Sequence, residues 1–466
     1  MGYLPTELFH KILVFSIIAR SLQHPYRGTA RALRLKLVSK AFYHAFQPAL
    51  FESRVLDDFG SRDSLVFWPT RRHYGGDQLW HSYLIFRVHN ETDPNVGRFV
   101  DIRQTARELC DLTGAPYDET AAGLCRLLLD TGTRCPGKRE DWVDSDGRRM
   151  DPTHPRLNLL SAAAYFGYLD LAKQLLADGC CPTHHDLFPS AMQLAAFAGH
   201  ADMVLLFQEH LPPIDDEYTG NAFSDWKVNT GLVAVEGAAL RGDVDMLRLA
   251  ISPPSRPELR ESHFSGLDLG NLDYNTNGRL VLVSALLMTG SWDVMLYIRS
   301  LLYSIYPLDA ARLLKETAQR GSKDIVQRIL DDLDQWVVEE YINRFTIDPL
   351  TFATRAYHED IVELLLERGI DPNEFNKIDR ETPLSAAAAV GSMRMLRKLM
   401  EYGANSDGDK KQQILMLKRA LLVEQTEMVN FFYDQGLLSR KCPESIREQI
   451  KEEGLESMTE LLKRWG

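Results

Sequence analysis

Small, apolar and acidic positions follow one another along this chain in an order that recurs through most of its length. Residues 194–206 read LAAFAGHADMVLL; AAAYFGYLDLAKQLL precedes them and FATRAYHEDIVELLL follows much later. Aligned on the glycine of the first stretch, the recurring position is Gly167, Gly199, Gly242, Gly290, Gly321, Tyr357, Gly391 and Glu424, at spacings of 31 to 48 residues. Three residues on stand Asp170, Asp202, Asp245, Asp293, Asp324, Asp360, Arg394 and Glu427. Just before it lie small pairs such as Ala163–Ala164, Ala195–Ala196, Ala238–Ala239 and Ala387–Ala388.

Each position has a physical use. Small residues on one helix face let a second helix approach closely. The anchor glycine permits a tight, left-handed exit from the first helix. The Asp is expected to cap the second helix and to complement its dipole. Apolar pairs follow at helical spacing, as in Ile325 with Ile329 and Leu330 and in Ile361 with Leu365 and Leu366. Gly179, Gly369, Gly403 and Gly436 stand where the second helix should stop. Each unit is therefore predicted to be helix, turn, helix and connector. One such pair cannot bury its own apolar face, but a stack can. The expected fold class is all-α, a helical solenoid.

Residues 380–405, RETPLSAAAAVGSMRMLRKLMEYGAN, carry this pattern most fully, with Thr382-Pro383-Leu384-Ser385 at the start and Gly403-Ala404-Asn405 at the end. Gly369-Ile370-Asp371-Pro372-Asn373 closes the preceding unit in the same way. These stretches resemble the ankyrin repeat, and the resemblance covers 155–440. No unit keeps the histidine of the family's Thr-Pro-Leu-His turn; Ser161, Gln193, Glu236, Ser284, Lys315, Thr351, Ser385 and Lys418 take its place. The network which that histidine supports is therefore in doubt, and the turns at Tyr357 and Glu424 are expected to be distorted. Residues 441–466 are expected to form capping helices, with Gly454 and Ser457 as anchor and cap. Residues 57–154 read as a linker, with a degenerate unit over 102–132.

The first 56 residues stand apart. LPTELFHKIL at 4–13 places Pro5 in a first helical turn and Leu8, Ile12 and Phe15 on one apolar stripe. Leu33, Leu37 and Ala41 repeat that spacing within LRLKLVSKAFYHAFQPALF. The combination resembles an F-box, and with the repeats behind it a group of fungal ankyrin proteins. The spacer between Leu13 and Leu33 is longer than the compact F-box carries. The resemblance implies docking on the linker subunit of a cullin-type ubiquitin ligase through Leu4, Pro5, Leu8, Ile12, Leu37 and Val38. The other reading is that these helices only cap the solenoid of a stand-alone scaffold.

Charge sharpens this division. Residues 1–56 hold eight cations and two anions, whereas the whole chain carries −12, so the remaining 410 residues carry −18. A body this acidic is unsuited to phosphate contacts, so nucleic acid is not the expected ligand. No apolar run approaches the length of a membrane span, no secretory leader opens the chain, and six cysteines in 466 residues form no disulfide framework. A monomer in the cytoplasm or nucleus is expected, with thiols reduced. No phosphate loop, nucleophile elbow or zinc-protease motif occurs, so no enzyme and no cofactor are expected; a catalytic site within 60–150 is the remote alternative. Cys180-Cys181-Pro182-Thr183-His184-His185 lacks the second, distant ligand pair of a zinc site. His200, after the anchor glycine, reads as structural, and Asp215-Asp216 and Asp331-Asp332 as solvated faces or caps.

Two connectors exceed the repeat length, LPPIDDEYTGNAFSDWKVNT (211–230) and SPPSRPELRESHFSGLDLGNLDYNTN (252–277). Both are expected to project as fingers outside the repeating helices, where recognition tends to sit. Asp215, Asp216, Tyr218, Trp226 and Phe264 are the candidate contacts to a protein target; alternatively Trp226 tucks back onto the helices. The aromatic block 60–100, with Trp68 and Trp80, is a further candidate surface.

Overall fold

The computed structural model describes residues 5–21, 35, 38–60, 76–94, 98–131, 154–211, 223–257, 272–302, 307–332, 348–373, 381–405, 410–422, 424–436, 442–452 and 454–464. Every regular element among them is a helix. The chain divides into two compact units, one formed by 77–313 and the other by 1–76 with 314–466. The second unit opens with α1 (Thr6–Ser21) and α2 (Lys40–Glu52), which pack on each other and on a 3-10 turn at Val55–Gly60. α2 starts later than the spacing of Leu33, Leu37 and Ala41 suggests. Ser39 caps it, accepting from Phe42 N at 3.3 Å, so Ala41 falls in its exposed first turn and Phe46, Ala49 and Leu50 form its buried face.

In the unit 77–313, the stretch read as a linker with a degenerate unit over 102–132 holds α3 (Gly76–Asn90), α4 (Phe99–Thr113) and α5 (Tyr117–Asp130). α4 and α5 form a packed pair, and α4 lies against α6 (Pro155–Phe166). Trp80 and Tyr83 are buried core, not surface; Trp68 lies outside the described residues. The repeats continue as α6 with α7 (Leu169–Ala177) and α8 (Ala191–Ala198) with α9 (Ala201–Glu209). After α10 (Phe223–Thr230) come α11 (Val233–Arg241) with α12 (Val244–Ile251), and α13 (Leu272–Met288) with α14 (Trp292–Leu301). First helices stack in succession, α6 on α8, α8 on α11 and α11 on α13. The small residues do what their size allows. Ala163, Ala164, Ala195, Ala196, Ala238 and Ala239 are fully buried, and at Gly237 even a methyl group would lie 2.0 Å from the Gln193 carbonyl.

α15 (Pro307–Arg320) contains the boundary between the units. In 314–466 it is followed by α16 (Lys323–Asp331), then by the pairs α17 (Pro349–Arg355) with α18 (Glu359–Glu367), α19 (Pro383–Val390) with α20 (Met393–Glu401), α21 (Lys410–Leu422) with α22 (Thr426–Asp434), and α23 (Glu444–Glu452) with α24 (Glu456–Arg464). α17, α19, α21 and α23 stack in succession, as do α16, α18 and α20. Exposed ion pairs run between neighbouring second helices, Glu359 with Arg394 at 3.0 Å, Glu363 with Lys398, and Arg397 with Glu427 at 3.0 Å.

The turns correct several expectations. Although Asp202 still accepts from Met203 N at 2.9 Å, the repeated Asp does not hold the cap position, which falls on the residue after the anchor. Asp243, Ser291 and Ser392 accept first-turn N–H groups there, while Asp170, Asp202, Asp245, Asp293, Asp324 and Asp360 sit inside the first turn, where they complement the dipole. Ser457 likewise lies inside α24. Gly290 is not left-handed; Thr289 closes that turn, its hydroxyl accepting from Ser291 N at 3.1 Å. The turns at Tyr357 and Glu424 are not distorted. Both residues take the left-handed conformation, at φ 63° and 55°.

Polar contacts replace the missing histidine network. Thr382 and Ser385 form a reciprocal capping box. Ser161 donates to the Pro189 carbonyl at 2.9 Å, Ser284 to Glu236 of the previous unit at 3.2 Å, and Thr351 to Asp348. His200 and His358, after the anchors, donate to the Tyr165 and Gln319 carbonyls of the preceding first helices, at 3.2 and 3.1 Å. At the ends of second helices, Asn373 receives Asn405 N–H at 2.8 Å and donates to the Gly403 carbonyl at 3.0 Å, joining two connectors.

Candidate protein-binding surfaces

α1 is apolar on both faces, which a helix of a small head cannot bury at once. Leu13, Val14 and Ile17 point into the head with Phe46, Ala49, Leu50, Val55 and Leu56. Phe9 meets Phe42 edge-on at 5.0 Å, and His10 Nε2 donates to Glu52 at 2.6 Å. These contacts fix which face is left over. On it Leu8, Ile12 and Phe15 are 50%, 53% and 68% exposed. Val38, in the approach to α2, and Tyr43 are exposed as well. Pro5 is exposed and precedes the helix, its carbonyl accepting from Phe9 N at 3.0 Å, so it stands at the cap and not in the first turn. Leu4 and Leu37 lie outside the described residues.

Both long connectors, as read from the sequence, run into helices. Asp215, Asp216, Tyr218 and Phe264 lie outside the described residues. The backbone of Trp226 belongs to α10, which packs on α13. The second connector likewise ends inside α13, which begins at Leu272. Lys227 of α10 pairs with Glu236 of α11. Buried Arg256, from the second connector, donates to the Thr230 carbonyl at the end of α10 at 3.4 Å. The described parts of the two insertions are thus tied together, a contact that no spacing rule announces.

Two buried charge clusters also escaped sequence reasoning. Arg98 grips Asp186 with two bonds of 2.6 and 2.7 Å, and Asp186 also accepts from His154 N and Asn158 Nδ2, each at 2.9 Å. Burial by itself would raise this carboxyl; the Arg98 guanidinium and the other donors hold it below the usual range. In the other unit, buried Glu381 pairs with Arg355 of α17 and Arg419 of α21, one from the unit before it and one from the unit after. Among the described residues no group of three or more His, Cys, Asp or Glu is arranged to hold a metal ion, and no helix is long and apolar enough to cross a membrane.

Residues 348–377 match the family model of the ankyrin repeat. The match begins at the Asp348 cap and takes in α17, α18 and the connector that closes them, one unit before the stretch whose sequence resembled the family most fully. A putative ankyrin repeat protein of fowlpox virus (strain NVSL) is 36% identical over 50 residues, which are 11% of this chain. The chain spans only 11% of the length of that curated relative. Among solved structures, the human ASB11 ankyrin repeat domain aligns at 17% identity over 58% of this chain and 96% of its own, with a TM-score of 0.29.

Proposed function

We propose that the chain is a non-enzymatic adaptor of the cytoplasm or nucleus. Its helix pairs present a surface to a target protein, and the head docks on the linker subunit of a cullin-type ubiquitin ligase. The observation that carries this reading is the row of Leu8, Ile12 and Phe15 on the open face of α1. Burial of a large apolar side chain is worth about 1.5–3 kcal/mol from full exposure, so three half-exposed ones form the centre of a docking patch. The sequence around them, LPTELFHKIL with LVSKAF further on, is the part that resembles the ligase-docking module. The acidic body favours a target segment that offers Arg or Lys.

The test is co-purification of the full chain with the ligase linker subunit. Wild type should retain the subunit, and Leu8→Asp with Ile12→Asp should release it with an unchanged melting midpoint, because neither side chain supports the head from inside. A wild-type chain that never retains the subunit refutes the docking. A double variant that melts early shows instead that the stripe is covered within the protein.

A further inference from the structure

The connector between α7 and α8 carries chemistry that protein binding does not use. Cys180, Cys181 and His184 line a cleft of about 500 Å³, with Pro155 and Arg156 at the start of α6 and Asp178 at the end of α7 on its other sides. The connector is held firmly. Thr183, Leu187 and Phe188 are buried, Met192 N donates to the Pro182 carbonyl at 2.9 Å, and Asp186 is fixed by Arg98. Cys181 Sγ lies 3.2 Å from Thr183 Oγ1, and His184 lines the same cleft.

These neighbours favour a thiolate. Burial alone would raise the Cys181 thiol, but His184 and Thr183 bring it down to about 7, and the same interaction raises His184. Cys180, one residue away, is pushed up by burial. Since the thiolate is the nucleophile, the cleft sets an activated sulfur beside a quiet one. It also offers a cation. Arg156 is 62% exposed, and its 3.0 Å pair with Asp178 is itself open to water, so an incoming carboxylate exchanges with Asp178 at little cost.

We propose that Cys181 is a thiol-modification site for a small, carboxylate-bearing disulfide, with His184 holding the thiolate and Arg156 seating the carboxylate. The Cys181 thiolate attacks one sulfur of the disulfide and a new S–S bond forms. The old S–S bond breaks, and its electron pair leaves on the departing thiolate, which takes its proton from solvent. The disulfide is the oxidant, and the product is a mixed disulfide on Cys181.

The probe is oxidised glutathione, with hydroxyethyl disulfide as a neutral comparison, on the full chain, read by intact mass and peptide mapping. One adduct on Cys181 is expected, with Cys180, Cys110 and Cys125 unmodified. The rate should rise with pH around a midpoint near 7. The groups that set this midpoint are His184 and Thr183, with Cys180, Arg156 and Asp178 around the cleft. His184→Gln should move the midpoint up by about one unit, toward the ordinary thiol value of about 8.5. Arg156→Ala should slow glutathione disulfide several-fold and leave the neutral disulfide unaffected. Cys181→Ser should abolish the adduct with an unchanged melting curve. An adduct on Cys180, no adduct at all, or a midpoint that His184→Gln leaves in place overturns the assignment; loss of charge selectivity in wild type overturns the role of Arg156.

Discussion

A tyrosine at φ 63° is uncommon outside glycine, asparagine and aspartate, yet the hydrogen bonds at Tyr357 are those of a glycine turn. Tyr357 N donates to the Thr354 carbonyl at 3.1 Å and His358 N to the Ala353 carbonyl at 3.0 Å, just as Gly391 N reaches Ala388 and Ser392 N reaches Ala387. The packing of the repeat therefore imposes the turn, and the residue bears the strain. The turn at Glu424 has the same pair of bonds, Glu424 N to the Leu421 carbonyl and Gln425 N to the Ala420 carbonyl. What glycine adds elsewhere is room. A methyl group at Gly321 would come within 2.4 Å of His358, and one at Gly391 within 2.7 Å of Gln425, where the next unit's side chain lies over the turn. In that register the unit after Tyr357 presents the shorter Ser392. A left-handed non-glycine residue costs about 1–2 kcal/mol, partly offset by the entropy glycine carries when unfolded. Tyr357→Gly should therefore stabilise the chain by about 1 kcal/mol, whereas Gly321→Ala, strained and obstructed together, should destabilise it. Thermal melting of the two variants decides it; a Tyr357→Gly protein that melts earlier would mean that the aromatic ring contributes more than the turn costs.

At the level of helices, the pairs between 155 and 440 were legible because small, glycine and apolar positions each answer a local demand. The caps were misread by two residues, since Asp at the second helical position and Asp at the cap differ only in register. α10 was read as loop because Pro212, Pro213 and Gly220 break the sequence before it, yet residues 223–230 are helical and pack against α13. α3 escaped the reading because it does not share the period, whereas the degenerate unit read over 102–132 falls on the packed pair α4 and α5. Glu381 was invisible for another reason: its partners are set by the stacking of units, not by spacing along one helix. Buried between Arg355 and Arg419, it ties three successive units together. Removing one member of a buried pair costs about 3–5 kcal/mol, less here because both guanidinium groups are about a fifth exposed. Glu381→Gln should cost about 2 kcal/mol, whereas Glu363→Gln, which removes an exposed pair with Lys398, should change little. Urea unfolding at unchanged slope reads both; equal midpoints would show that the Glu381 cluster is no tie between units.

For the whole molecule, composition announced a basic head and an acidic body, but not that the chain groups as 77–313 against 1–76 with 314–466. Nor could it reveal that each unit holds a carboxylate with the opposite response to pH. Asp348 caps α17, accepting from Leu350 N and Thr351 N at 3.0 Å and from the Thr351 hydroxyl. Burial outweighs these bonds and lifts the carboxyl from 3.8 to about 6. The folded state then binds the proton more tightly than the unfolded one. Stability of the unit with Asp348 should fall as pH rises from about 4 through about 6, by at most about 1.4 kcal/mol per pH unit. Asp186 runs the other way. Its folded carboxyl is held below the unfolded value of 3.8, so its contribution is complete at neutral pH and is lost only as pH falls below about 4. On going from pH 7 to pH 5, amide hydrogen exchange corrected for intrinsic rates should slow in α17 and its neighbours, while Asp186 gives α6 and α8 no change over that range. Asp348→Asn keeps an oxygen that caps Leu350 and Thr351 but no longer titrates. It should remove the pH response of α17 and stabilise that unit above pH 6. If α17 protection is as pH-dependent in the Asn variant as in wild type, the buried carboxyl is not its source.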